Sequence, residues 1–250
     1  MQQITSINNE LVKETVKLQQ KKYRDKENKF LLEGFKSVEE AFNANINIDY
    51  AFVLEDKKEV YKFLGKKIIL TTEPVLKKIS TTDSAPEVVA VAKKRIYSND
   101  NLKNAKKVVL LENIKDLGNL GTILRTSTAF GADAIVLYGK ECADLYNPKC
   151  VRSSVGNLWK IPVVYIQDFE TLNKVFKNYE KIATLPRTNN YLKNFKTKEP
   201  FVVMFGSEAD GLSEELIKFS TSQVKIEMKS EVESLNLSIS CAVVLYELLI

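Results

Sequence analysis

The chain has 250 residues, 44% of them hydrophobic and 28% charged, with a net charge of +5; this is the make-up of a globular protein with length for one large domain or two modest ones. Histidine is absent, which excludes an imidazole base, a Ser-His-Asp triad and any His-ligated metal. No apolar run approaches the roughly 20 residues needed to cross a bilayer and no signal-peptide pattern opens the chain, while three cysteines without a CxxC pair, Cys142, Cys150 and Cys241, point to a reducing, cytoplasmic setting.

Residues 1–100 predict a small α/β domain. Asn8 and Asn9 can cap a helix running to about Tyr23, with Leu11, Val12, Thr15, Val16 and Leu18 as its apolar stripe. Between Lys13 and Lys29 seven basic residues (Lys13, Lys17, Lys21, Lys22, Arg24, Lys26, Lys29) face three acids (Glu14, Asp25, Glu27). Such a cluster is either a solvated helix face or a surface for a polyanion. A strand at Phe30–Gly34, a helix through Val38, Ala41 and Phe42, strands at Tyr50–Leu54 and Lys67–Leu70 around a short helix near Lys58–Leu64, a helix opened by Pro74 and a strand at Val88–Ala92 complete the domain. The polar run Ser98–Asn104 reads as a linker.

From residue 105 to 250 strand and helix alternate. Strands are expected at Val108–Glu112, Ala134–Tyr138, Pro162–Ile166, Lys181–Leu185, Phe201–Phe205 and Gln223–Met228. Helices are expected near Thr122–Phe130, Pro148–Val155, Phe169–Asn178, Ser213–Phe219 and Leu235–Leu249. Repeated βα units imply a mostly parallel sheet covered on both faces, with ligands beyond the carboxyl ends of its strands.

Three of those strand ends carry small or polar loops. The first is Asp116 to Arg125, where Gly118 and Gly121 bracket Asn119 and read as a tight turn into a helix begun by Thr122. Its Gly-x-x-Gly spacing is not the dinucleotide fingerprint. The second is Gly206 to Leu212. The third crosses a polar loop, Lys229–Glu233, into Ser234-Leu235-Asn236-Leu237-Ser238 at the start of an apolar helix marked by Leu237, Cys241, Val244, Leu245 and Leu248. That start reads either as a serine cap beside a solvated asparagine or as a polar pocket whose free N–H groups suit an anionic or electron-rich ligand.

In this order the three loops resemble the motifs of the SpoU/TrmH family of RNA ribose 2′-O-methyltransferases, within the SPOUT superfamily. The matching stretches are Asn119 to Gly131, Gly206-Ser207-Glu208 through Gly211-Leu212, and Ile226-x-Met228 followed by Ser234 to Ser238, with Asn147-Pro148-Lys149 and Arg152-Ser153-Ser154-x-Gly156 between them. The first unit is similar, more loosely, to the small RNA-binding domain that precedes the catalytic domain in many members. Leu117 and Glu227 stand where the family usually has Pro, and Ser207 where it often has Asn.

The resemblance implies a C-terminal SPOUT domain with a trefoil knot, S-adenosylmethionine as cofactor, no metal, and a homodimer whose active site borrows residues across the interface. It implies that Leu185, Gly206, Ile226 and Leu235 line the adenosine pocket. Asn119, Arg125, Glu208, Ser234 and Asn236 would surround the reacting ribose, with Arg125 acting mainly as a cation, since a guanidinium hardly ever gives up its proton. Lys149 and Arg152 would join the Lys13–Lys29 cluster on RNA phosphates. Large-subunit ribosomal RNA is the expected substrate; a tRNA ribose, and a non-catalytic RNA-binding role in ribosome assembly, are the alternatives.

Overall fold

A computed structural model describes residues 2–229 and 234–250, so most of the polar loop Lys229–Glu233 lies outside the described residues. The chain folds as two compact units, one holding residues up to Arg95 together with Asp144–Trp159, the other Ile96–Ala143 and Lys160–Ile250. No helix among the described residues is long and apolar enough to cross a membrane.

The strands of the first unit are β1 (Gln2–Gln3), β2 (Lys29–Glu33), β3 (Ile48–Leu54), β4 (Ile68–Thr71) and β5 (Val88–Lys93), ordered β1-β4-β3-β5-β2. β5 is antiparallel to both neighbours and the remaining pairs are parallel. Helices α1 (Glu10–Lys17), α2 (Lys21–Glu27), α3 (Phe35–Asn43) and α4 (Glu73–Ile79) surround it. Asn9 caps α1, its side chain accepting from the Leu11 N–H.

The single helix expected to Tyr23 is instead two, and Arg24 is the reason. Its guanidinium donates to the carbonyls of Leu18 (2.8 Å) and Gln19 (2.7 Å), which in a continuous helix would accept from the N–H groups four residues on. Its Nε donates to Asp144 at 3.0 Å, and the side chain is 1% exposed. A buried arginine thus holds the bend between α1 and α2 and ties it to the segment Asp144–Trp159.

That segment contains a short helix, Pro148–Ser153, capped by Asn147. Phe30 of β2 packs on Tyr146 and Trp159, ring centroids 4.9 and 5.4 Å apart. Arg152 pairs with the buried carboxylate of Glu33, which also accepts from the Thr81 N–H at 2.6 Å. After the helix Val155 adopts φ +47°, and Gly156 lies so close to Glu40 that a Cβ would sit 2.6 Å from that side chain.

The stretch read as a linker is folded. Asn99–Leu102 forms a 3-10 turn closed by reciprocal capping between Ser98 and Asn101, and Leu102 is buried in the core of the second unit. Two apolar residues, Leu102 and Ala105, outweigh the polar ones around them because both reach that core.

The second unit is built on a six-stranded, wholly parallel sheet of β6 (Lys107–Glu112), β7 (Ala134–Tyr138), β8 (Val163–Ile166), β9 (Glu180–Thr184), β10 (Phe201–Phe205) and β11 (Ser222–Val224), ordered β11-β9-β10-β6-β7-β8. The near-continuous Val/Leu/Ile runs of the central strands reflect burial on both faces. β11 stops at Val224, short of the expected Met228. Past that point Lys225 donates to the Asn190 carbonyl (3.0 Å) and accepts from Leu192 N–H (2.9 Å), so its backbone is satisfied by the 190–192 segment and not by the sheet. Helix α5 (Leu117–Ala129) follows β6, and the C-terminal helix spans Leu237–Leu249.

Candidate active site

The sheet order reverses at the β6–β10 pair, the place where parallel sheets open a crevice beyond their carboxyl ends. A cavity of about 590 Å³ lies on the β10 side of that point, lined by the loops after β9, β10 and β11 and by the start of the C-terminal helix. Its size falls within the usual range for small-molecule sites, about 300–1,000 Å³.

Helix α5 begins earlier than its glycines suggested. Asp116 is the cap, its carboxylate accepting from Asn119 N–H at 2.7 Å, so Gly118 and Gly121 lie inside the helix and Thr122 does not start it. Leu117 takes the first helical position, where Pro is favoured; its replacement of the family's Pro leaves the helix start intact. Asn119, three residues past the cap, then faces the loop after β10 and donates from Nδ2 to Glu208 Oε1 at 3.0 Å. The side-chain amide of Asn236 donates to Asn119 Oδ1 at 3.1 Å. Glu208, Asn119 and Asn236, distant in sequence, thus form one hydrogen-bonded chain.

Asn236 is also the cap of the C-terminal helix. Its Oδ1 accepts from Ser238 N–H (2.9 Å), Ser238 Oγ (2.6 Å) and Ile239 N–H. The expectation of free N–H groups awaiting an anion is therefore corrected: the asparagine itself takes the N–H groups of Ser238 and Ile239, and no serine cap is needed.

Gly206 opens the loop after β10. The chain doubles back so tightly, with reciprocal Ser207–Gly211 backbone hydrogen bonds of 3.1 Å, that a Cβ on Gly206 would lie 1.8 Å from the Gly211 carbonyl carbon. Ser207 closes the same loop by accepting from Asp210 N–H at 3.0 Å, a role its hydroxyl fills where the family often has Asn. Glu227, in the place of the family's second Pro, pairs with Lys193 at 2.5 Å.

Leu185, Gly206, Ile226 and Leu235 all line the cavity, as do Ser234, Glu208 and Asn236. Backbone and aliphatic surface of this kind suits an adenosine, and the carboxylates of Glu208 and Asp210 at the same rim suit a positively charged sulfonium. The residues present therefore fit S-adenosylmethionine. Asp210, Ser240 and Val244 also line the cavity, though the sequence marks none of them as a site residue. The four-residue spacing of Asn236, Ser240 and Val244, one stripe of a helix, was the signal for two of them.

Arg125 is exposed and outside the cavity lining. Six residues from Asn119, it projects about 240° further around α5, and Glu208 reaches Asn119 and not Arg125. The expected basic surface also divides. Lys13, Lys17, Lys21, Lys22 and Lys149 are exposed. One of the nominated phosphate ligands is corrected: Arg24 is buried and bound to Asp144; Arg152 commits its Nη1 to Glu33 and Thr81 and is half-buried. Low charge compensation in the linear sequence did not reveal these partners, because Asp144 is 120 residues from Arg24 and Glu33 is 119 from Arg152.

No thiolate nucleophile competes for the chemistry. Burial pushes the Cys142 thiol up to about 11, and the buried Cys150 and Cys241 are raised further. Among the described residues no group of three or more His, Cys, Asp or Glu side chains could hold a metal ion.

Comparison with known proteins agrees with this geometry. Residues 106–246 match the SpoU rRNA Methylase family and residues 9–90 the MRM3-like substrate binding domain. An uncharacterized tRNA/rRNA methyltransferase of Synechocystis is 33% identical over 98% of this chain and 92% of its own length. The Bacillus subtilis 23S rRNA (guanosine(2553)-2′-O)-methyltransferase RlmP is 30% identical over 99% of both chains. The crystal structure of an AdoMet-bound rRNA methyltransferase from Sinorhizobium meliloti superposes with a TM-score of 0.87 at 27% identity, covering 98% of this chain and 96% of that one.

Proposed function

The chain belongs to the SpoU rRNA methylase family, and from that premise we propose that it transfers a methyl group from S-adenosylmethionine to a ribose 2′-hydroxyl of large-subunit ribosomal RNA. One observation carries the reading: a cavity lined by Leu185, Gly206, Ile226 and Leu235 opens beside the Glu208–Asn119–Asn236 hydrogen-bond chain. Bound there, the cofactor supplies an electrophilic methyl on a sulfonium. The protein's work is then to place the hydroxyl in line with that methyl and to favour loss of its proton, which passes to solvent water.

Gly206, Ile226 and Leu235 hold the donor by backbone and aliphatic contact. Asn119 and Asn236, fixed by each other and by Glu208, present amide groups that orient the ribose. Arg125 anchors the neighbouring phosphate and stabilises the developing alkoxide as a cation. Its exposed position outside the cavity lining suits a site completed by a second copy of the chain. The C-terminal helix supports that arrangement, because Ile239, Val243, Tyr246 and Ile250 form an apolar stripe 40–78% exposed, the kind of patch that marks an interface. The pairing of Lys225 with the 190–192 segment supports the trefoil knot, with the C-terminal part of the chain drawn through the loop between β9 and β10. The N-terminal unit presents the RNA, with Lys13, Lys17, Lys21, Lys22 and Lys149 on phosphates.

The test is labelled methyl transfer from S-adenosylmethionine onto separated 23S rRNA, 16S rRNA and tRNA, followed by mapping of the methylated ribose. Label in 23S rRNA at a 2′-oxygen is expected. Label in tRNA alone would move the substrate to the second class. No label, together with no thermal shift on adding the donor, would leave a non-catalytic RNA-binding protein.

A further inference from the structure

Much of the lysine-rich start of the chain is already paired with carboxylates, Lys17 and Lys22 excepted among the described residues. Lys13 pairs with Glu10 at 2.7 Å, Lys21 with Asp25 at 2.6 Å, Lys29 with Asp49 at 2.8 Å, and Arg24 with Asp144. The stretch between β3 and β4 is different. It carries Lys57, Lys58, Lys62, Lys66 and Lys67, and no ion pair engages any of them among the described residues.

Three of these, Lys58, Lys62 and Lys66, line one concavity of about 380 Å³, with Gly65, Ile68 and a single acid, Glu59. The surface under them is fixed. Tyr61, Leu64 and Ile68 are buried, the Tyr61 hydroxyl donates to Glu87 at 2.6 Å, and Phe63 packs on Phe42 with ring centroids 4.9 Å apart. Gly65 turns the chain at φ +57°, ψ −124°, a conformation side chains with a Cβ rarely adopt. Buried anchors alternate with outward lysines, so the cations are held around the hollow by the fold. Three positive charges against one negative leave an excess suited to an anion of one or two charges.

We propose that Lys58, Lys62 and Lys66 form a phosphodiester-binding site through which the N-terminal unit grips the RNA backbone. The inference rests on the RNA-methylating reading and adds a second surface to the lysine-rich first helices, one that carries more of the salt dependence. A cation that touches phosphate displaces condensed counterions, which makes its contribution readable as salt dependence. Lysines already paired with carboxylates displace fewer.

Binding of the full-length protein to a protein-free 23S rRNA transcript, measured by fluorescence anisotropy across a range of salt, tests this directly. The double variant K62A/K66A is expected to lose at least about fivefold in affinity near 0.1 M salt, and its slope of log K against log salt to shrink by about 1.4–1.8, at roughly 0.7–0.9 per phosphate contact. E59Q should move affinity the other way. K13A/K21A should change the slope less than K62A/K66A does, and thermal shift with S-adenosylmethionine should be the same in all variants. An unchanged slope in K62A/K66A, with wild type binding RNA and transferring methyl, overturns the site and leaves the functional reading standing. Failure of the wild type to bind any RNA or transfer methyl overturns both. If inorganic phosphate stabilises the wild type but not K62A/K66A while RNA binding is equal in the two, the hollow takes a small anion and the RNA assignment fails.

Discussion

The two units use arginine in opposite ways. In the first, Arg24 and Arg152 are absorbed by Asp144 and Glu33, and their geometry holds bends and segments together. In the second, Arg125 stands exposed on the helix that carries Asn119, while Glu208 gives its carboxylate to Asn119. A cation with its carboxylate already in hand belongs to the architecture. One left exposed on a helix that reaches the site is available to a substrate. The difference separates scaffold from chemistry better than residue type does.

The sharpest way to break this contrast is to remove one member of each class. Arg24→Ala strands the nearly buried Asp144 and two backbone carbonyls, and should destabilise the protein by about 3–5 kcal/mol, read by denaturant unfolding. Arg125→Ala should leave stability within about 0.5 kcal/mol yet lower methyl transfer by at least about a hundredfold, with donor binding intact by calorimetry. Near-full activity in Arg125→Lys would show that charge alone suffices and that the planar fork is dispensable. If Arg125→Ala unfolds the protein, the contrast is lost.

Smaller effects refine it. Gly206→Ala forces the loop after β10 apart and should cost about 1–3 kcal/mol while abolishing the thermal shift given by S-adenosylmethionine. Val155, a β-branched residue held at φ +47°, sits in a region that costs non-glycine residues about 1–2 kcal/mol. Asparagine tolerates that region, so Val155→Asn should raise stability by up to about 1 kcal/mol, visible as a higher melting temperature with unchanged methyl transfer.

Much of the architecture was legible from period and punctuation. Four strands of the parallel sheet, β6, β7, β8 and β10, follow apolar runs that the sequence displays, and the three motif loops could be read as strand ends facing one edge. What escaped notice depends on distance along the chain. Nothing local to Lys13–Lys29 distinguishes Arg24 from its neighbours, because the partner that buries it is Asp144. Gly118 and Gly121 looked like a turn because glycine is usually punctuation; Asp116 three residues ahead of Asn119 is a stronger signal, and it moved the helix start by five residues, from Thr122 to Leu117. At Asn236 the cap and the candidate site residue proved to be one side chain, which periodicity could not decide between.

The placement of Asp144–Trp159 with the N-terminal unit bears on how such proteins can be recombined. The polypeptide passes from one unit to the other three times, after Arg95, Ala143 and Trp159, so no single cut separates them. A graft that exchanged residues 1–95 for the corresponding domain of a relative would orphan Asp144 and Arg152 unless the incoming domain also brought an arginine and a glutamate to meet them. In this chain the N-terminal unit would therefore have to be exchanged together with a short stretch of the methylase, with matched changes at both places.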